Sequence, residues 1–285
     1  MPIARLLAAL AALAPVFADA ILIRADRDDA EYVEMASRYT ASLGMGLPDG
    51  EGTLIAPRWI LTSARVAADI ASRKPWQLDA RGGPYPVAQV FIHPDWKSDG
   101  ASDIALVLLE REMDGIEPMP IYRNSDEKDE SVVIVGRGLS GTLEKGPVAR
   151  EKWDRRKRAA INTVDEVLPR TLVLIIKKPD EASDLQGAAA PGDSGAPAII
   201  HDGKKLFVAG VWSGTDEANQ GNRAGRVGDR ERYMRVSAFA KWIDDTMFRA
   251  AAQEASAKPK SSASGLCQRL VEVPEQVADR LQPDG

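Results

Sequence analysis

Pro191-Gly192-Asp193-Ser194-Gly195-Ala196-Pro197 is the stretch on which the reading of this chain turns. Two glycines bracket an Asp-Ser pair, and taken alone Gly-Asp-Ser-Gly reads as an ordinary turn. The apolar runs 196–200 and 206–212 follow it. Each is rich in Val, Ile or Leu and is about the length of a strand. Working outward, the same texture recurs at 171–177, 132–136, 104–110, 87–92, 59–64 and 52–56. Pro57-Arg58, Gly82-Gly83, Asp202-Gly203 and the Gly-rich stretch 214–228 punctuate these runs. From residue 21 to 248, long helical patterns are absent, apart from a short one at 29–39. The pattern argues for an all-β sandwich or barrel, not an α/β fold. One helix is expected at 237–248, where Phe239, Trp242, Ile243 and Met247 fall at helical spacing and Ser237 is placed to cap it.

Composition narrows the function classes. The 285 residues are 44% hydrophobic and 28% charged, which excludes disorder over most of the length. Lys and Arg total 37 against 42 Asp and Glu, a net charge of -5, which makes a poor general binder of nucleic acid. Cys267 is the single cysteine, so no intramolecular disulfide forms and no multi-thiolate metal cluster is possible; neither a metal nor a cofactor is expected. There are two histidines, His93 and His201.

The ends differ from the middle. Arg5, the apolar run 6–16 and Ala18-Asp19-Ala20 read as a signal peptide, 1–20, cut before Ile21. The apolar run is about half the roughly 20 residues that span a bilayer, and no later stretch qualifies as a transmembrane helix. The expected location is secreted or periplasmic, in a bacterium. Residues 250–265 have linker composition, and Leu266, Leu270, Val273, Val277 and Leu281 form a short amphipathic piece that Pro274 interrupts.

Three segments in order then carry a resemblance. The 191–197 stretch looks like the nucleophile segment of trypsin-like (chymotrypsin-fold) serine proteases. Gly52-Thr53-Leu54-Ile55-Ala56-Pro57-Arg58-Trp59-Ile60-Leu61-Thr62-Ser63-Ala64 is similar to the strand pair leading to that family's catalytic histidine. Ser102-Asp103-Ile104-Ala105-Leu106 is similar to the segment bearing its catalytic aspartate. Gly136-Arg137-Gly138, Gly210-Val211-Trp212-Ser213-Gly214 and the stretch from Tyr233 to Ile243 extend the likeness over 21–248. The resemblance implies two antiparallel six-stranded β-barrels, 21–125 and 126–248, the second carrying a C-terminal helix, with a cleft between them. A linker and tail, 249–285, follow. It also implies Ser194 as nucleophile, Gly192 and Ser194 as oxyanion N–H donors, and Asp103 as the residue that orients the base. Ala188, six before the serine, falls at the base of the primary specificity pocket, with Ser213 and Gly214 on its wall. A pocket based on Ala188 is neutral.

One departure dominates. Arg65 follows Thr62-Ser63-Ala64, where the family has its histidine. Guanidinium stays protonated at ordinary pH and cannot take the serine's proton. His93 and His201 do not substitute by position. An ion pair between Arg65 and Asp103 is the expected arrangement, because a buried unpaired carboxylate is costly. The basic run 150–158 is expected to be a solvated loop or strand edge. Two functional readings result: a peptidase homologue with impaired proteolysis that binds or regulates a polypeptide, and an active serine endopeptidase working through Ser194.

Overall fold

The computed structural model describes residues 21–44, 50–73, 77–80, 83–97, 100–147, 154–216 and 226–257. Residues 1–20 and 258–285, with the signal-peptide reading, Cys267 and the amphipathic tail, lie outside the described residues.

The apolar runs become strands. The chain opens with β1 (Ile21–Ile23) and a short helix, α1 (Asp29–Ala36). Asp28 caps α1 by accepting from Ala30 N, and the Glu31 carboxylate accepts in return from the Asp28 N–H, satisfying two otherwise orphaned donors. A six-stranded antiparallel sheet follows, from β2 (Ser42–Gly44), β3 (Glu51–Ala56), β4 (Trp59–Thr62), β5 (Gln77–Ala80), β6 (Gly83–Ile92) and β7 (Ala105–Leu109). Its order is β2-β3-β4-β7-β6-β5. Helix α2 (Ala64–Ser72) leaves the end of β4. The sequence pattern does not anticipate this helix, which is only nine residues long and follows directly on a strand-like apolar run. Only Val66, Ala67 and Ile70 join Ala64 in the interior, and four of nine positions are alanine.

The second half supplies β8 (Ser131–Gly136), β9 (Ser140–Thr142), β10 (Gly146–Pro147), β11 (Arg158–Thr163), β12 (Glu166–Val167), β13 (Thr171–Ile175), β14 (Gly187–Ala188), β15 (Pro197–His201), β16 (Leu206–Asp216) and β17 (Arg230–Arg235). Seven of these form the sheet β11-β8-β15-β16-β17-β13-β12, and a small sheet runs β10-β9-β1-β14. The two large curled sheets with a C-terminal helix are the all-β, two-barrel architecture expected from the sequence. The amino-terminal strand β1 sits between β9 and β14, so it packs with elements of the second half of the chain.

The main core gathers Ile23, Tyr32, Val132, Ile134, Leu172, Leu174, Ala198, Ile200, Trp212 and Tyr233, all under a tenth exposed. At roughly 25 cal/mol per Å² of apolar surface, each large side chain of this kind contributes about 1.5–3 kcal/mol of burial.

The chain divides into two compact units, Met1–Ile243 and Asp244–Gly285. The last helix, α3 (Val236–Ala257), begins in the first and continues into the second. It is longer than the expected 237–248, because alanine-rich sequence that reads as linker is also good helix sequence. Ser237 is not a cap. It lies inside the first turn, and its hydroxyl donates to Glu127 Oε1.

Residues 150–153 of the basic run lie outside the described residues; Arg155 and Arg156 are exposed as expected, but Arg158 is not. Arg158 is fully buried and its guanidinium bonds Asp29 and Asp154, while Arg156 also reaches Asp29. The acidic start of α1 therefore draws in a cation that composition alone placed in solvent.

Candidate active site

Strand register assembles the site. Thr62 at the end of β4 pairs with Ala105 at the start of β7. Residues just after 62 and just before 105 therefore emerge from the same end of the sheet, which places Arg65 beside Asp103. Arg65 is the second residue of α2. Its backbone N–H donates to Asp103 Oδ1 at 3.0 Å, while Ser63 caps the helix by accepting from Val66 N. Its guanidinium Nη2 lies 3.0 Å from Asp103 Oδ2 and also donates to the Ser213 carbonyl. The expected ion pair is thus present in the structure. Asp103 is 2% exposed at its side chain and Arg65 44%. The pair bridges from the interior to the cleft surface.

The second half contributes Ser213 through a local irregularity. The register between β16 and β17 shifts between Trp212 and Gly214, so Ser213 is left out of the ladder. Freed from pairing, it turns its hydroxyl to Asp103 Oδ2 at 2.9 Å. Asp103 therefore accepts from a backbone N–H, a hydroxyl and a guanidinium. Ser102, just before it, has φ of 51°, a strained value for a non-glycine residue, and its hydroxyl accepts from Arg170.

The 191–197 stretch forms a tight turn on the facing side. Asp193 N bonds Ala190 O at 3.0 Å, and Ala196 N bonds Asp193 O at 2.8 Å. Gly195 N donates to the Trp212 carbonyl at 3.1 Å, and the Ser194 carbonyl accepts from Glu51 N at 2.8 Å. Two glycines are required by geometry. Gly192 has φ of 109°, and a Cβ there would lie 2.7 Å from Gly138 Cα. Gly195 has φ of 86°, and its Cβ would lie 2.3 Å from the Glu51 carbonyl and 2.4 Å from Thr62 Oγ1. Both are in the region that side chains avoid. The turn points the Asp193 N–H inward. The N–H groups of Gly192 and Ser194, on either side of it, have no acceptor among the described residues. No described side chain bonds the Ser194 hydroxyl either.

Three carboxyls are buried beneath this turn. Asp193 accepts from Gly138 N at 2.7 Å and Ala190 N at 2.9 Å. Burial nevertheless pushes its pKa up to about 6, and the backbone donors only partly oppose this. Glu51 is held by Arg137 at 2.8 Å, but burial outweighs the cation and raises it. Glu231 accepts from Ala189 N at 2.9 Å and Thr215 Oγ1 at 2.7 Å. Burial raises it to about 8, so it is largely neutral at pH 7.

Sequence reasoning overlooked Glu231. It lies on β17, one strand away from Ser213 and Gly214, in register with Thr215. An acid two residues before Tyr233, on the strand face that alternates with Arg230 and Arg232, was the available signal.

Arg65, Asp103 and Ser213 form one bonded group, and the Ser194-Gly195 turn abuts Thr62 and Ser63. Gly214 stands next to them on β16. Ala188 is wholly buried among Leu22, Leu143, Ile176 and Ala190, and its strand pairs with Leu22. The two histidines are elsewhere. His93 is buried against Phe239 and Trp242, with ring centroids 5.1 and 4.9 Å away. Its Nδ1 accepts from Asp95 N, and desolvation lowers its pKa. His201 closes β15, exposed. Neither bonds the serine. No group of three or more metal-ligating side chains is found among the described residues, and none of the described helices is long and apolar enough to cross a membrane.

Two curled antiparallel sheets with a Gly-Asp-Ser-Gly turn facing a buried aspartate define the class of chymotrypsin-fold serine proteases. Residues 30–243 match the family described as Trypsin, and the chain belongs to that family. Among curated proteins it is similar to vitamin K-dependent protein C of Rattus norvegicus, 24% identical over 217 residues, covering 67% of this chain and 44% of that protein. The chain thus spans less than half the length of this relative.

Proposed function

We propose that the chain is a secreted trypsin-like peptidase homologue whose proteolysis is impaired because Arg65 stands where the general base belongs, and that its role is to bind or regulate a polypeptide. One observation carries the reading. The carboxylate that would orient an imidazole is bonded instead by the Arg65 amide, the Arg65 guanidinium and Ser213. A serine hydroxyl without a base is a weak nucleophile. Loss of the base in a serine-protease triad costs up to about 10⁶ in kcat.

The second reading is an active endopeptidase hydrolysing peptide bonds through Ser194. What favours it is the turn itself. Gly192 at φ 109° and the two acceptor-free N–H groups match what a developing oxyanion needs. A fluorophosphonate serine-hydrolase probe alongside a casein digestion separates the readings. Absent or very slow labelling with no digestion supports impairment. Casein turnover that Ser194→Ala abolishes overturns it.

The reading includes removal of residues 1–20 on export. Ile21 is buried at φ 59° and pairs with Ser140, two residues from Gly138, whose N–H donates to Asp193. A freed Ile21 ammonium would bring a cation to the buried acids. N-terminal sequencing of the exported protein is expected to begin at Ile21, and a start well beyond it would remove this step.

A further inference from the structure

The cleft holds more unused donors than a decayed protease needs. The N–H groups of Gly192 and Ser194 have no acceptor, and the Ser194 hydroxyl has no partner, among the described residues. Arg65 uses Nη2 for both of its guanidinium bonds. Nε and Nη1 have none among those residues, and nearly half of the side chain is exposed. The two sets of donors share one anchor. Gly195, next to the serine, is tied to the Trp212 carbonyl, and Arg65 is tied to the next carbonyl, that of Ser213. Adjacent residues of a strand advance about 3.3 Å. Gly195 also abuts Thr62 and Ser63, two residues before Arg65. The guanidinium carbon stands 5.8 Å from the centroid of the Trp212 ring, an arrangement that fixes it over an apolar floor. The groups facing it are Asp103, bonded on one side, and Ser213; the buried acids Asp193 and Glu231 make their bonds inside the second half.

We infer that replacement of the base by Arg65 turns this cleft into a carboxylate receptor, and that its ligand is the C-terminal carboxylate of a peptide. One oxygen is received by the Gly192 and Ser194 N–H groups, and the other faces the guanidinium and the Ser194 hydroxyl. The number and kind of donors suit a planar anion with two oxygens, since N–H bonds to an ionised acceptor are the strong ones. No covalent step is involved. The inference deepens the proposed function by naming what an impaired cleft would hold, and it rests on that reading.

The test uses ¹⁵N-labelled full-length protein at constant ionic strength. It is titrated with N-acetyl-leucine, with N-acetyl-leucinamide, and with N-acetyl-glutamic acid α-amide, whose only carboxylate is on the side chain. The Gly192 and Ser194 amide signals and the Arg65 Nε–H signal are followed. The expected result is saturable shifts with N-acetyl-leucine, at an affinity at least about tenfold above either amide. Arg65→Met is expected to bring the ratio near one. Because that change also strips Asp103 of its cation, Arg65→Lys is measured too, and an intermediate ratio is expected. The wild-type comparison needs no variant. Equal binding of acid and amide, or shifts confined to other residues, overturns the receptor. Equal binding of the side-chain carboxylate overturns the C-terminal assignment. Casein turnover together with selective N-acetyl-leucine binding would sink the impaired reading and leave the site. No turnover and no binding would sink the site and leave that reading.

Discussion

Arg65, at the position the proposed reading assigns to the general base, is a cation already bonded to Asp103 and Ser213, and that decides what its substitution should reveal. On the proposed reading, with Ser194 as nucleophile, the Gly192 and Ser194 N–H groups as oxyanion donors and Asp103 as the orienting carboxylate, Arg65→His restores the missing part. An imidazole there would accept the Ser194 proton through one nitrogen and donate to Asp103 through the other. General-base assistance of this kind is typically about 10²–10⁴-fold. A gain of that order in hydrolysis of an activated ester is expected, and it should vanish in the double variant with Ser194→Ala. A folded Arg65→His protein as inert as wild type would mean that the cleft has changed elsewhere. Glu231 gives a second test at this scale. Its carboxyl binds its proton more tightly folded, near pH 8, than at its ordinary value of 4.5. Its contribution is thus fully present below about pH 4.5 and is lost as pH rises through 8. Glu231→Gln removes the titration, so it should be nearly neutral in Tm at pH 5 and stabilising at pH 8.5. A variant equally unstable at both pH values would show that the carboxyl is needed ionised.

At the scale of the element, the 191–197 turn is over-determined by its glycines. Gly195→Ala would force a Cβ to within 2.3 Å of the Glu51 carbonyl, on backbone that is itself bonded to Ser194. Neither side can retreat without breaking β3 or the turn. We expect a loss of about 2–4 kcal/mol, read by chemical denaturation. Gly203→Ala is the control. It also has positive φ, 88°, but no heavy atom lies within 4 Å of its added Cβ. It should cost about 1 kcal/mol, from backbone strain alone. Similar losses at the two positions would mean that the contact at Gly195 is relieved by a movement of the turn.

For the molecule as a whole, the buried acids set an unusual pH profile. With residues 1–20 attached, so that no Ile21 ammonium reaches them, Asp193, Glu51 and Glu231 take up protons on folding, because burial raises them to about 6, about 8 and about 8. Stability should therefore decline as pH rises from about 5 to 8. The decline is on the order of a few kcal/mol, or roughly 5–10 °C in Tm. Lys157 works in the opposite sense only above this window, since burial lowers it to about 8 and its contribution grows with pH from there toward its ordinary 10.5. At the acid end, Glu127 and Glu166 are held below their ordinary range; burial opposes this for Glu127, while Arg235 and Ser237 hold it down, and Arg230 does so for Glu166. Their contribution disappears as pH falls below about 4.5, which places the maximum near pH 5. Thermal melts from pH 4 to 9 check this, and a maximum at pH 8 or above would contradict it.

Much of the architecture was legible from residue order, because strand-length apolar runs and a turn motif are local properties. The runs at 132–136, 171–177 and 196–200 overlap β8, β13 and β15, and the Gly-Asp-Ser-Gly stretch is a turn. The exclusion of Arg65 as a base was equally local, since it follows from guanidinium chemistry. What lay beyond the sequence depends on juxtaposition. Alanine-rich α2 is short and runs straight on from a strand-like apolar run, and the far half of α3 has the composition of a linker. Arg158 left solvent because α1 presents Asp29 to it. Glu231 became a buried acid because β17 pairs with β16. Only the tertiary structure decided that Arg65 would bond both Asp103 and Ser213, because those partners come from different sheets and meet through the register of β4 with β7 and the irregularity between β16 and β17.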